Sequence, residues 1–167
     1  MNAMQNVMIR MIEYDKADPK RIQHFLKVYQ FAKLIGEMEQ VEDQMQNIIE
    51  IAALVHDIGI KISEEKYGSS AGKYQELEGP PIAKALLKDL GYEPSVINRV
   101  CWLVGHHHTY HNIQELDHQI LVEADFLVNA YEDNLTVDAI VSVLTKIFRT
   151  DSGKLLLKTI YLDENQM

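Results

Sequence analysis

Several histidines and aspartates of this chain stand in or beside apolar segments, where polar side chains are unusual without a partner. His56 and Asp57 directly follow an apolar run, and Asp125 lies inside the apolar stretch 121–128. A buried carboxylate is costly unless something compensates its charge. A divalent cation held jointly with nearby imidazoles is one way to provide that compensation. These residues, together with His24 in the middle of a helical pattern, are therefore candidates for a metal site.

Each candidate also has an ordinary structural interpretation. His24 alone is compatible with a packed or solvated histidine, and His56-Asp57 with a capping pair at a helix end. Asp125 could accept a hydrogen bond from a helix N-terminus or a lysine, and the histidine run 106–108 could be a surface patch. The joint placement of these polar residues on separate predicted helices favours a metal site over several unrelated explanations.

The elements that must position these residues are predicted to be helices, because apolar residues recur at steps of three and four. Asp18-Pro19 is typical of an N-cap followed by proline at the first helical position. Further helices are predicted at 41–56, 82–90, 94–106, 120–131, 137–148 and 154–161. We expect an all-α bundle of about seven to nine helices. It forms a single domain over 1–167, with its core at 18–131 and C-terminal helices at 136–161.

Composition narrows the class of protein. The net charge is −9 and no basic face is visible, which argues against duplex nucleic acid as a partner. No apolar run approaches the roughly 18 residues of a membrane span, and a single cysteine, Cys101, suits a reducing cytoplasm. We therefore predict a cytoplasmic protein that acts on small molecules and does not bind membranes. The apolar residues of segment 4–12 either pack internally or form a homodimer contact.

The order of the candidate residues resembles a known family. His24, then 54–59 with its His-Asp pair, then 104–107 with two histidines, then 123–125 is similar to the HD superfamily of metal-dependent phosphohydrolases. The ordered set covers roughly residues 20 to 130, and 78–92 is similar to the superfamily's middle helix. The resemblance implies an HD-type helical fold. It also implies a first divalent ion ligated by His24, His56, Asp57 and Asp125.

Two features depart from that family pattern. Two-metal members usually carry a histidine just before the middle helix, where this chain has Gln75 and Glu76. His106 and His107 match the pair that helps to hold a second ion, and Glu76 or Gln75 is a candidate to replace the missing partner. Otherwise the site holds one ion, and the two histidines face substrate or transfer protons. Many members also have a lysine three residues after the aspartate, whereas here Lys61 comes one residue later.

The implied mechanism is metal-assisted hydrolysis, in which the ion polarises a phosphoryl oxygen and acidifies a bound water. Asp57 would orient or deprotonate that water, and His106 or His107 would protonate the leaving oxygen. Segment 61–81 is predicted as a long loop of the kind that often carries function. The candidates for holding the substrate are Lys61, Ser69, Gly72, Lys73, Tyr74 and Tyr110. The glycines and serines also suit a simple turn, and the tyrosines simple packing.

The predicted activity is hydrolysis of a small phosphorylated molecule, with a nucleotide favoured. The cofactor would be one or two divalent ions, among iron, manganese, magnesium, nickel and zinc. A non-catalytic regulatory domain that binds a metal or nucleotide is the main alternative, and the missing middle histidine keeps it open. A di-iron oxygenase needs the full two-metal ligand set and is less favoured. A helical partner-binding module leaves the histidines and aspartates without an explanation.

Overall fold

A computed structural model describes residues 2–163, and all regular structure in that range is α-helical. Nine helices follow one another: α1 (Ala3–Tyr14), α2 (Pro19–Met38), α3 (Asp43–Val55), α4 (Ile60–Tyr67), α5 (Gly72–Asp89), α6 (Pro94–Val104), α7 (Leu116–Glu132), α8 (Val137–Lys146) and α9 (Asp151–Tyr161). The prediction of a single all-α domain is confirmed. Among these residues, no helix has both the length and the apolar character that crossing a bilayer would need.

Helix α3 lies at the centre of the bundle, against α1, α2, α6 and α7. Its second half, residues 51–55, is completely buried. A helix enclosed by neighbours has no solvent-facing side, which explains why this run is apolar throughout and not amphipathic. Because α3 is central, His56 and Asp57, which directly follow it, lie in the interior of the domain.

Helix α2 begins where the sequence predicts. The Asp18 side chain accepts a hydrogen bond from the Arg21 backbone N–H, and Pro19 occupies the first helical position. The Asp18 side chain satisfies a first-turn N–H that has no carbonyl partner within the helix, and proline has no N–H that needs one. Because its start is fixed in this way, α2 presents His24 and Phe25 to the interior, where both are buried.

Segment 61–81 is not the long loop that its composition predicts. Helices α4 and α5 cover all of it except residues 68–71, and Pro80 and Pro81 lie inside α5. Gly68 ends α4 in the left-handed conformation, with φ of 62°. The prediction was wrong because it weighed local Gly, Ser and Pro content, whereas packing against neighbouring elements keeps these residues helical.

Helix α5 approaches the turn after α3 very closely. A Cβ on Gly59 would lie 2.7 Å from the Gln75 carbonyl oxygen and 2.8 Å from the Gly79 nitrogen. Such distances leave no room for a side chain, and backbone atoms cannot rotate aside. Gly59 therefore lets α5 pass directly over the residues that follow Asp57, and this approach brings Gln75 to the same region.

The two ends of the chain pack onto this core. Val7 and Met11 of α1 are buried within the chain, so the N-terminal helix contributes to the domain's own interior. Glu123 of α7 is fully buried and accepts hydrogen bonds from the backbone N–H groups of Arg149 and Thr150. This carboxylate fixes the start of α9 against α7.

Candidate metal centre

Four side chains from three helical elements converge in the interior. His24 comes from α2, His56 and Asp57 from the turn that follows α3, and Asp125 from α7. The Nε2 atom of His24 lies 3.2 Å from His56 Nε2, 3.2 Å from Asp125 Oδ1 and 3.3 Å from Asp57 Oδ2. Two atoms that each ligate one ion at about 2.1 Å are about 3.0–3.4 Å apart. The observed separations therefore fit a shared divalent ion.

The protonation of the two imidazoles strengthens this assignment. His24 Nδ1 lies 2.8 Å from a carboxylate oxygen of Glu132, and His56 Nδ1 lies 2.8 Å from the Ala53 carbonyl oxygen. Both partners only accept hydrogen bonds, so both Nδ1 atoms carry the proton. In neutral rings the two Nε2 lone pairs then face each other at 3.2 Å. That arrangement is repulsive unless a cation or an added proton lies between them.

A second group of possible ligands adjoins the first and shares Asp57 with it. It consists of Asp57, His107 and His108. His107 Nε2 lies 3.4 Å from Asp57 Oδ1, and the Nδ1 atom of the same ring donates to the Val104 carbonyl oxygen. The Nε2 atoms of both histidines are buried and have no hydrogen-bond partner within residues 2–163. Unpaired buried nitrogens aimed at a carboxylate are the donor set that a second ion would use.

The carboxylates and imidazoles shift one another's protonation. Burial alone would lower the pKa of His56, but the Asp57 and Asp125 carboxylates outweigh it and raise that pKa to about 9. Burial would raise the pKa of Asp125, yet its hydrogen bonds with His24 and His56 hold it well below the usual range. Burial, aided by His107, lowers the pKa of His108 to about 4. The first group thus attracts positive charge, while His108 stays neutral and free to bind a metal.

His106 lies apart from this centre. Its ring stacks on Trp102 at 4.1 Å between centroids, and its Nδ1 bonds to the Trp102 carbonyl oxygen. The chain leaves α6 at Val104, and the turn that follows directs His106 to one side and the next two histidines to the other. The structure therefore brings His107 and His108 to Asp57, where the sequence predicts His106 and His107. The one sequence signal for His108 as a ligand is that it directly follows His106 and His107.

The two residues expected to replace the middle histidine have different surroundings. The Glu76 carboxylate accepts hydrogen bonds from the His108 backbone N–H and the Thr109 hydroxyl, both at 3.0 Å, so it supports the histidine turn. Gln75 is buried beside the centre, and its amide nitrogen donates to the Ser70 carbonyl oxygen. Its Oε1 atom has no partner within the described residues. Both bonds to Glu76 use Oε1, and Gln75 is the one of the two that offers a buried oxygen without a partner.

The centre opens into a cavity of about 410 Å³. None of the six residues that the sequence predicts to hold substrate lines this cavity. Lys61 faces the Tyr14 ring, Lys73 lies over the Tyr74 ring, and Tyr74 stacks on Tyr67. The Ser69 hydroxyl accepts from the Ala71 backbone N–H. Gly72 packs against the His108 ring, and the Tyr110 hydroxyl bonds to His108 Nδ1, so these two adjoin the centre.

The basic residues of the cavity wall are Lys20 and Arg21, which the sequence did not single out as substrate ligands. Arg21 lies one helical turn before His24, and that spacing is the signal that could have found it. Its guanidinium bonds to both carboxylate oxygens of Glu64 at 2.7 Å. Carboxylates predominate around the rest of the opening, including Glu132.

An all-helical domain with His, His-Asp and Asp side chains meeting between its helices defines a class of metal-binding domains. The chain belongs to the HD domain family, whose model matches residues 21–144. Its fold is similar to the crystal structure of a predicted HD superfamily hydrolase from an uncultured Thermotogales bacterium. The two share 24% identity with a TM-score of 0.67, over 93% of this chain and 83% of that one. No curated protein matches the chain.

Proposed function

We propose that this protein is a metal-dependent phosphohydrolase that cleaves a small phosphorylated substrate, with a nucleotide as the favoured class. Membership of the HD family supports hydrolysis in general. The observation that carries the proposal is the pair of Nε2 atoms, from His24 and His56, that face each other at 3.2 Å between two carboxylates. The cavity beside them is large enough for a small molecule.

The residues that would hold the first ion are His24, His56, Asp57 and Asp125. A second ion would use Asp57 with the histidines of the adjoining group and the free oxygen of Gln75. Imidazole suits iron, nickel and zinc, and carboxylate suits manganese and magnesium. The mixed donor set favours iron, manganese, nickel or zinc over magnesium. When bound, such an ion supplies Lewis acidity to a phosphoryl oxygen and acidifies a water.

The chain's own side chains would perform the remaining tasks. Asp57 faces the two ligand groups with different oxygens, so it is placed to orient the attacking water beside the centre. Lys20 is the candidate in the cavity wall for pairing with an anionic substrate, since the Arg21 guanidinium is already paired with Glu64. Burial lowers the pKa of His108, and the neutral ring that this favours is suited to binding a metal.

A non-catalytic metal- or nucleotide-binding domain is the second candidate. Gln75 favours it, because an amide oxygen is a weaker ligand for a transition metal than the imidazole it replaces. Both candidates predict metal binding and differ in turnover. We further propose a cytoplasmic protein with no duplex nucleic acid partner, and we retain the homodimer as a prediction.

The test is to purify the protein without chelator, count metals per chain by elemental analysis and assay phosphate or pyrophosphate release. Nucleoside mono-, di- and triphosphates would be offered with added Mn²⁺ or Fe²⁺. We expect one or two metals and turnover, both lost in Asp57→Ala. Asp89→Ala, which removes an exposed aspartate paired with Arg10, is the matched control and should keep both. Metal without turnover favours the regulatory domain, and a folded protein with no metal contradicts the proposal.

A further inference from the structure

Glu132 contacts His24 on the side of the ring that faces away from the metal centre. Its Oε2 atom lies 2.8 Å from His24 Nδ1, and its Oε1 atom lies 2.7 Å from the Lys27 ammonium. Only 14% of the Glu132 side chain is exposed. Both carboxylate oxygens of Glu132 are therefore bonded, one to the candidate ligand His24 and the other to Lys27, and both of these residues belong to α2.

The other imidazoles of the centre have neutral partners on the same nitrogen. His56 donates to the Ala53 carbonyl and His107 to the Val104 carbonyl, while His108 bonds to the Tyr110 hydroxyl. His24 alone among these four has a charged partner. A carboxylate that accepts from Nδ1 fixes the tautomer and ring orientation, and it makes the opposite nitrogen more basic than a neutral acceptor does.

We propose that Glu132 is a positioning residue for metal binding, which orients the His24 ring and strengthens its Nε2 as a ligand. The inference rests on the proposed metal site. Lys27 holds the carboxylate in place from its other oxygen.

The spacing of these residues along α2 and α7 explains how they come together. Asp125 and Glu132 are seven residues apart on α7, which is two turns, so they lie on one face of that helix. His24 and Lys27 are three residues apart on α2 and also share a face. The contact between α2 and α7 thus brings a ligand pair and its supporting ion pair together. The Lys27 side chain is 42% exposed, so its ion pair with Glu132 contributes little to stability, and the geometry is better explained by what Glu132 does for His24.

The test measures Mn²⁺ affinity by titration calorimetry in phosphate-free buffer, using the full chain stripped of metal. The variants are Glu132→Gln, which keeps a hydrogen-bond acceptor without the charge, and Glu132→Ala. Glu78→Gln is the matched control, because 13% of the Glu78 side chain is exposed, close to the 14% of Glu132, and it bonds to a lysine at 2.7 Å, away from the centre. Thermal unfolding of each metal-free variant reports the fold separately.

We expect the Kd for Mn²⁺ to rise about ten- to a hundredfold in Glu132→Ala and less in Glu132→Gln, as for other partners of metal-bound histidines. The control should stay within twofold of the wild type. If both Glu132 variants bind within threefold of the wild type, the positioning role is overturned, even when their metal-free Tm falls. A wild-type chain that binds no Mn²⁺ instead contradicts the proposed function itself, so the two failures are distinguishable.

Discussion

His106 points away from His107 and His108, because α6 ends at Val104 and the chain turns there. His106 lies against Trp102, while the next two side chains group with Asp57 and have unpaired Nε2 atoms. His106 and His107, although adjacent in sequence, thus have unrelated surroundings. The histidine run in the sequence therefore identifies the type of residue that is needed, but the conformation of the turn after α6 determines which histidines reach the metal centre.

This placement predicts how alanine substitution affects metal content. His107→Ala and His108→Ala each remove a nitrogen from the second group, so we expect the number of bound metals per chain to fall toward one. His106→Ala is the matched control and should leave the metal count unchanged. Elemental analysis of the three purified variants is the measurement. An equal loss in His106→Ala would contradict the assignment.

At the scale of elements, the approach of α5 to the turn after Asp57 depends on Gly59. We expect Gly59→Ala to lower the free energy of unfolding by about 2–3 kcal/mol, because the added methyl would overlap the backbone of α5. Gly68→Ala is the comparison. A methyl group there has open space around it, so the substitution lowers the free energy of unfolding by about 1 kcal/mol, through the left-handed conformation alone. Urea denaturation measures both. A smaller loss in Gly59→Ala than in Gly68→Ala would contradict this view of the packing.

The sequence predicts the helices whose signals are local and misses those that depend on distant contacts. The start of α2 follows from Asp18 and Pro19, and the buried half of α3 follows from its apolar run. In contrast, Gly and Ser residues lie between α4 and α5, and residues 72–81 of α5 include two glycines and two prolines. The helical state of this part of α5 rests on a backbone approach at Gly59 that no local pattern encodes.

The same division holds within the candidate site. The resemblance names His24, His56, Asp57 and Asp125, and the structure brings all four together. Their order along the chain matches the family, so motif spacing is sufficient. Supporting residues have no such signature. Glu132 contributes through a contact between α2 and α7, which becomes visible only when the two helices are packed.

At the scale of the whole molecule, the chain is acidic, with a net charge of −9, and Asp15 lies in an unfavourable position for a further negative charge. Asp15 caps the C-terminal end of α1, where the helix dipole disfavours negative charge. Burial raises its pKa to about 6, against the opposing effect of Arg21. A carboxyl whose pKa is higher in the folded state favours folding while protonated. That contribution is complete below about pH 4 and is lost as the pH rises through 6.

Asp15→Asn should therefore stabilise the protein at high pH and not at low pH. A shift of this size corresponds to about 3 kcal/mol in full, and screening at a half-buried site reduces it to about 1–2 kcal/mol. We expect that gain in the free energy of unfolding at pH 8, declining to less than about 0.5 kcal/mol near pH 4. Urea denaturation across this range is the measurement. A gain that does not change with pH would show that the charge is not its cause.

The different partners of the four imidazoles have a consequence for how the centre changes over evolutionary time. His56 and His107 are oriented by main-chain carbonyls, which every amino acid possesses, so no replacement at positions 53 or 104 removes the acceptor. His24 and His108 are oriented by the side chains of Glu132 and Tyr110, which a single codon change can delete. A lineage that adjusts its preferred metal is therefore expected to drift at positions 110 and 132 while every histidine of the centre stays in place.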